Sequence, residues 1–483
     1  MALHTSTSPT AFLHQHVLDN LMHLPLQDYE AWWEITGKAI SSSVDRAGTA
    51  WIRQYDRFGN RIDDLVFPAG YRDMLLAGYT RGVIWRAFET QPQALRDAYA
   101  LGYIAGYYDT GLYCPYTVSL ATTAVVDKYA APDVRDRFLP SLLARDESVW
   151  QGATWMTEAG GGSDLGAAVQ TVARQAGDGW RLTGEKYFGS NANAELAVVA
   201  ARPEDAPAGV RGLALFLVPR LRANGSLNIY IRRLKDKIAT RSVPTGEIDL
   251  RDSEAYLLGR AEHGIYLILE VLNLSRVANN LGSVGIMQRA YAEALTFASG
   301  RVAFGKPLIE QPLMCRQFEQ KATLLRQAFG LAWETVRLAN EVWREPAGSY
   351  SERFQLFRIL THLAKYWTAE QAVQFAKWAM EVHGGAGTLA EFGVERLLRE
   401  AMIADIWEGP PHRQALDGLE AMERKGAHRL LWAHLANRAN ADALAAMQAR
   451  VESHLALPQD EKEAQAFDLF DALAPFVASA LAT

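Results

Sequence analysis

The sequence predicts a mixed α+β fold in three parts: a helical N-terminal domain, a small antiparallel β-barrel or sandwich, and a C-terminal four-helix bundle. Two changes of texture carry this reading. From about Asp28 to Val149, and again from about Ile265, apolar residues recur at spacings of three and four, the period of a helix with one buried face. Between them, from near Gln151, short β-branched and aromatic runs alternate with turn signals. At 483 residues and 49% hydrophobic content, the chain has material for several cores. The expected domains are residues 1–150 (helical, with a flexible arm), 151–262 (β), 263–424 (bundle) and 425–483 (a helical extension).

Residues 1 to about 25 are polar and punctuated, and read as an arm rather than a core element. Leu75, Tyr79, Val83 and Ala87, then Ala98, Leu101 and Ala105, mark helices. Tyr55–Asp64 between them reads as a turn or short hairpin. Cys114-Pro115 lies between two helical patterns and predicts a helix boundary there. In the middle region, Val169–Arg174 and Trp180–Phe188 flank Ala-Gly-Asp-Gly, a hairpin turn signal. Leu196–Ala200 and Leu213–Val218 are apolar throughout and predict buried strands. Ile229–Arg233 and Glu247–Leu250 bring the expected total to about six. Further on, Phe318, Ala322, Leu325, Phe329, Ala332, Val336 and Ala339 form one stripe of a long helix. Arg353–Val382 predicts another, ended by His383-Gly-Gly. Ile265–Ala298 and a short helix before Glu408 complete the bundle.

The composition excludes several function classes. Net charge is −6, so no global basic field points to nucleic acid. From Arg424 onward six Lys or Arg face seven Asp or Glu, a tail that gives little counterion release on DNA. Two cysteines, Cys114 and Cys315, make neither a disulfide framework nor a metal cluster and suit a reducing, cytoplasmic setting. No signal-peptide pattern opens the chain, and no apolar run is long enough to span a bilayer. His, Asp and Glu at metal-ligating spacing, a Walker motif and a Rossmann fingerprint are all missing.

Chemistry concentrates in a few stretches. Met156-Thr-Glu-Ala-Gly-Gly-Gly-Ser-Asp-Leu-Gly-Ala167 carries glycines ahead of Ser163, so backbone amides can approach a ligand closely. Lys186-Tyr-Phe-Gly-Ser-Asn191, at a strand end, offers Phe188 to pack on a planar ring and Ser190 to bond a ring nitrogen. Ser299–Pro307 presents Arg301 as a phosphate-binding candidate. Glu381–Thr388 is a glycine loop between helices. Arg396–Pro410 sets Glu408 after Ile406 and Trp407, ahead of Gly409 and Pro410, which break the helix. A carboxylate desolvated beside Trp407 has a raised pKa and is a better base near neutrality. His383 and His412 stand isolated and read as structural.

Taken together and in this order, these motifs resemble the acyl-CoA dehydrogenase family of flavoproteins over about Gly78–Glu423. Trp155 stands where a small residue is usual, and Thr388 where an aliphatic or aromatic is expected. Tyr55–Asp64, Cys114-Pro115 and Arg233–Ser242 are similar to the AidB-like, alkylation-response branch. The resemblance implies FAD between the β domain and the bundle and a homotetramer. It implies a cofactor-binding set of Met156, Thr157, Gly162, Ser163, Phe188, Gly189, Ser190, Arg301, Phe304, Gly384, Gly385, Ile406, Trp407 and Gly409. Arg301, Gly384 and Gly385 would serve a neighbouring subunit's FAD. The implied reaction is α,β-dehydrogenation of an acyl thioester with Glu408 as base and hydride transfer to flavin. Some relatives carry the base before the arginine that is Arg276 here, but Ser275 precedes it and is no base. The alternative is a nucleic-acid-protective or redox-silent scaffold. Pro410-Pro411, where relatives carry small and polar residues, puts contacts beyond Gly409 in question.

Overall fold

The structure, a computed structural model, describes residues 6–17, 20–177 and 179–482. Its N-terminal helix, Pro9–His16, corrects the expectation of a flexible arm. Ser8 caps it, accepting from the Ala11 N–H at 3.1 Å, and Pro9 occupies the first turn, where no N–H partner is needed. Phe12 and Leu13 are fully buried, and Phe12 meets Phe329 edge to face with centroids 5.1 Å apart. Two turns of helix are too short to show a period in a polar stretch, so tertiary packing decides the segment.

The predicted hairpin forms, with strand β1 (Trp51–Tyr55) antiparallel to β2 (Arg61–Val66). Helices Ala94–Tyr108 and Thr110–Tyr129 then follow back to back. The boundary between them is Asp109, not Cys114-Pro115. The buried Asp109 carboxylate accepts from the Leu112 N–H at 2.8 Å and starts the second helix. Pro115 lies inside that helix, whose buried face runs through Leu112, Tyr116 and Leu120. Burial of this face outweighs the proline's missing donor.

The middle region holds β3 (Gly152–Trp155), β4 (Val172–Ala176), β5 (Gly179–Ser190), β6 (Leu196–Pro203), β7 (Ala214–Pro219), β8 (Tyr230–Leu234) and β9 (Thr245–Leu257). Strand order β6-β4-β5-β9-β7, with β7 pairing back onto β6, closes a barrel. The sheet has seven strands rather than about six, and it is mixed rather than antiparallel: β3 and β4 both run parallel to β6. β3 is only four residues long and pairs with a strand some forty residues on, a non-local choice that a run of apolar residues does not encode. The predicted β4–β5 hairpin forms, with Ala176 opposite Gly179. Asp178 of its turn lies outside the described residues.

The bundle consists of Gly264–Gly300, Pro312–Val342, Glu352–His383 and the short Val394–Ile406. Every residue of the predicted Phe318–Ala339 stripe is buried. The first bundle helix is buried around most of its circumference, against the N-terminal helices on one side and the third bundle helix on the other. It carries Ser275, Arg276, Asn279, Asn280, Ser283 and Gln288 inward. In the extension, Ala466–Leu481 packs Phe470, Leu473 and Val477 against the bundle. Its Leu481 carbonyl reaches so close to Gly330 that an added Cβ would sit 2.5 Å away.

Candidate active site

The fourth bundle helix ends at Ile406, and the chain turns sharply. Glu408 takes φ +60° and Gly409 φ +102°. A left-handed non-glycine residue costs about 1–3 kcal/mol and persists only where its surroundings over-determine it. Here they do. The Glu408 carbonyl accepts from Arg276 Nε at 3.1 Å and from Gln414 Nε2 at 3.0 Å, and Gln414 also reaches the Gly409 carbonyl at 2.9 Å. Gln414 is itself fixed by His362 Nδ1, 2.9 Å from its Oε1. Arg276 lies 3.5 Å from Asp417. A Cβ on Gly409 would fall 2.6 Å from Gln414 Nε2, so this glycine is required. The two prolines do not disturb the helix that follows. Pro411 opens the next helix, Pro411–Lys425, where the first N–H groups have no intrahelical partner in any case.

This turn points the Glu408 side chain into a crevice between three elements. Thr110, Tyr113, Cys114 and Thr117 line it from one helix, Ser275, Asn279 and Ser283 from the first bundle helix, and Trp407 from the turn itself. Glu408 Oε2 is shut off from solvent and has no hydrogen-bond partner, and the same holds for Trp407 Nε1 and Ser275 Oγ. Burial pushes the Glu408 carboxyl up to about 7, against the opposing charges of Arg276 and Lys365. Lys365 is buried under the turn, donates to the Asp405 carbonyl at 3.0 Å, and is itself pushed down to about 8 by burial.

The glycine loop is pinned from beneath by a carboxylate whose role the sequence did not reveal. Glu158 accepts from the Gln170 N–H at 2.7 Å, the Thr171 N–H at 3.1 Å, Thr171 Oγ1 at 2.6 Å and Lys186 Nζ at 2.6 Å. Lys186, fully buried, also donates to the Ala200 carbonyl at 2.8 Å, so loop, β5 and β6 share one ion pair. Above it, Gly160–Gly162 and Ser163 border an open cavity. A Cβ on Gly162 would meet Thr157 Oγ1 at 2.6 Å. Trp155 explains its own departure from the family pattern: it is buried, and its indole N–H donates to the Ser190 carbonyl at 2.9 Å. Phe188 is 52% exposed. Gly189 has no room for a Cβ, which would lie 2.5 Å from Ile248.

A chain of contacts connects this strand end to the crevice. Ser190 Oγ is 3.1 Å from Thr245 Oγ1, which accepts from Lys237 Nζ at 3.1 Å. Lys237 is half-buried and interacts electrostatically with Cys114, which lines the crevice beside Glu408. Ser190, at the end of β5, is thereby connected through Thr245 and Lys237 to the crevice that holds Trp407 and Glu408. Ile406 is 60% exposed beside them.

The remaining predicted residues gather elsewhere. Arg301 caps the C-terminus of the first bundle helix, and Phe304, at φ +50°, sits on the tip of a two-residue ladder, Val302–Ala303 with Lys306–Pro307. Gly384 and Gly385 follow the third bundle helix and are exposed. Phe297, His383 and Phe392 tie the two ends together, with Phe297 and His383 centroids 4.3 Å apart. His383 Nδ1 lies 2.7 Å from the Ala379 carbonyl of its own helix.

Comparison with known proteins fits this geometry. The acyl-CoA dehydrogenase C-terminal domain matches residues 262–423, the middle domain of the same family residues 153–253, and the N-terminal domain of the adaptive response protein AidB residues 42–147. The putative acyl-CoA dehydrogenase AidB of Escherichia coli (strain K12) is 31% identical over 396 residues, 79% of this chain and 70% of that protein. The chain belongs to the acyl-CoA dehydrogenase family. It is thus an oxidoreductase of the class acting on the CH–CH group of acyl-CoA. Among solved structures, Bd2924 in its apo form superposes with a TM-score of 0.90 at 28% identity, covering 99% of this chain and 96% of that one. Caenorhabditis elegans ACDH-11, solved in complex with C11-CoA, gives 0.80 at 25% identity over 96% of this chain and 87% of that one. The curated relatives matched first are longer proteins, of which this chain spans 66% to 70%. Among the described residues no cluster could hold a metal ion, and no helix is long and apolar enough to cross a membrane.

Proposed function

We propose that this chain catalyses α,β-dehydrogenation of an acyl thioester with Glu408 as the base. One observation carries the reading: a buried carboxylate oxygen without a partner, on a strained turn, facing a closed crevice with its pKa raised to about 7. A base with that pKa is half ionised near neutrality and strong enough to take a weakly acidic proton. Glu408 Oε2 takes the α-proton. Trp407 and the neighbouring helices exclude water, so the carboxylate is not quenched by solvent. Arg276 and Gln414 hold the carbonyl of the same residue, which fixes where the carboxylate points.

The donor set suits FAD. Cradles at Gly162 and Gly189 admit no side chain, Phe188 offers an exposed aromatic face, and Ser190 presents a hydroxyl held by Thr245. Met156, Thr157 and Ser163 would hold the cofactor beside them, near Ile406, Trp407 and Gly409. Bound there, FAD would supply the acceptor for the β-hydrogen as hydride. Arg301, Phe304, Gly384 and Gly385 would complete the cofactor site of a neighbouring subunit in a homotetramer. The test is anaerobic mixing of the purified yellow protein with a panel of acyl-CoA thioesters. Bleaching of the flavin by at least one of them, lost in Glu408→Gln, is the expected result. No bleaching by any would leave the redox-silent scaffold as the better reading.

A further inference from the structure

The crevice that receives Glu408 is small and rigid. The free space between its walls is about 30 Å³, room for roughly the last one or two heavy atoms of a chain and no more. One wall is Tyr113, and its ring is wedged. A Cβ added at Gly102 would lie 2.6 Å from it, at Gly106 3.1 Å and at Gly282 3.4 Å. Three glycines on two helices thus make the slot in which the ring lies, and backbone blocks its retreat. A long acyl chain cannot be admitted by a side-chain swing alone.

The polar groups of the crevice differ in what they already bond. Thr117 Oγ1 donates to the Tyr113 carbonyl at 3.0 Å, Thr110 Oγ1 to the Gly106 carbonyl at 3.4 Å, and Ser283 Oγ to Asn279 Oδ1 at 3.4 Å. Asn279 Nδ2 donates to the Ala404 carbonyl at 3.0 Å. Besides Glu408 Oε2, three others have no partner among the described residues: Tyr113 Oη, Trp407 Nε1 and the hydroxyl of Ser275, which is 1% exposed. Buried hydroxyls are nearly always bonded, so one left open in a crevice marks a place that a ligand completes.

We propose that this crevice selects a short acyl group bearing a polar substituent. Ser275 Oγ recognises the substituent and the Tyr113 ring is the stop that excludes long fatty chains. The proposal rests on the reading that the Glu408 crevice is the acyl site. Butyryl-, 4-hydroxybutyryl- and dodecanoyl-CoA are the probes, with the FAD-loaded protein. Flavin reduction gives kcat/KM in the wild type. Calorimetric binding to Glu408→Gln ranks the same thioesters without turnover. The expected order is 4-hydroxybutyryl above butyryl by about tenfold, and dodecanoyl at least about a hundredfold below. In Ser275→Ala the ratio of the first two should fall to about one. In Tyr113→Ala dodecanoyl-CoA should gain at least about tenfold.

Equal or better use of dodecanoyl-CoA by the wild type would overturn the proposal and leave the dehydrogenase reading intact. So would equal use of butyryl- and 4-hydroxybutyryl-CoA. If no thioester reduced the flavin yet 4-hydroxybutyryl-CoA bound above dodecanoyl-CoA, the dehydrogenase reading would fall and the crevice assignment would stand. Should Tyr113→Ala not fold, the wild-type ranking and Ser275→Ala decide alone.

Discussion

The two functional regions of the first bundle helix are built in opposite ways. Around Arg276 everything faces inward: a buried guanidinium, a strained turn and an unpartnered carboxylate, all supplied by one chain. Around Arg301 everything faces outward, with Phe304 97% exposed and two glycines bare of neighbours. Some 25 residues of continuous helix separate the two arginines, about 37 Å at the rise of an α-helix. No side chain bridges that span. The inner region can therefore do its chemistry within a subunit, whereas the outer one makes sense as a surface awaiting something else. The lesson is that residues near each other in a family's motif list can belong to different sites in space.

The comparison breaks most visibly at the inner region. Glu408→Gln should slow thioester-driven flavin reduction by at least about a hundredfold, the usual loss with a general base, and leave FAD content unchanged. In the wild type, rate should follow the ionised fraction. With the pKa near 7, kcat/KM falls about tenfold for each pH unit below it. A flat profile from pH 5 to 8 would remove Glu408 from the role. At the outer region, Arg301→Ala with Phe304→Ser should act on a different axis. FAD should dissociate about tenfold more readily and the assembly loosen in sedimentation, while turnover at saturating FAD stays within about twofold. If the double variant instead kept its FAD and lost turnover, the outer region would belong to the reaction itself. A smaller effect tests the brace. Gln414→Ala removes the amide that holds two carbonyls of the turn, and should lower kcat several-fold through misplacement alone. The pH profile should keep its shape.

The sequence was legible where chemistry is local. The Gly160–Ser163 run, the Trp407-Glu408-Gly409 turn and the Phe318–Ala339 stripe could each be read from consecutive residues or one helical period. It was opaque where partners are distant. Gln414 and His362 brace Glu408 from two other helices, and Glu158 pairs with Lys186 across the loop–strand junction; such pairings leave no spacing to read. The parallel β3–β6 ladder failed for the same reason. Pro115 misled because the rule that prolines end helices is about backbone donors, and here a buried helix face and the Asp109 cap outweighed one missing bond. Tyr113 carries no motif at all. Its importance lies in Gly102, Gly106 and Gly282, which meet only in three dimensions.

The smallest expected effect concerns stability, and it runs against the activity. Burial raises the Glu408 pKa from 4.5 to about 7, so the folded state binds that proton more tightly than the unfolded chain. Below about pH 4.5 both states are protonated and the group is neutral toward folding. As pH rises from there to 7, the unfolded chain ionises first, and stability is progressively lost; above 7 the loss is complete and constant. A shift of that size corresponds to at most about 3 kcal/mol, which for a chain of this length is a few degrees in Tm. Glu408→Gln carries no ionising proton there and escapes the loss. The variant should therefore melt a few degrees above wild type at pH 8 and level with it near pH 4.5, in calorimetry of the FAD-loaded proteins. The same carboxylate would then be a cost to the fold over the pH range where it is useful as a base, the signature expected of a residue kept for chemistry. Equal melting at both pH values would mean that the carboxylate finds a partner or water in solution, and a base so satisfied would not hold its pKa near 7.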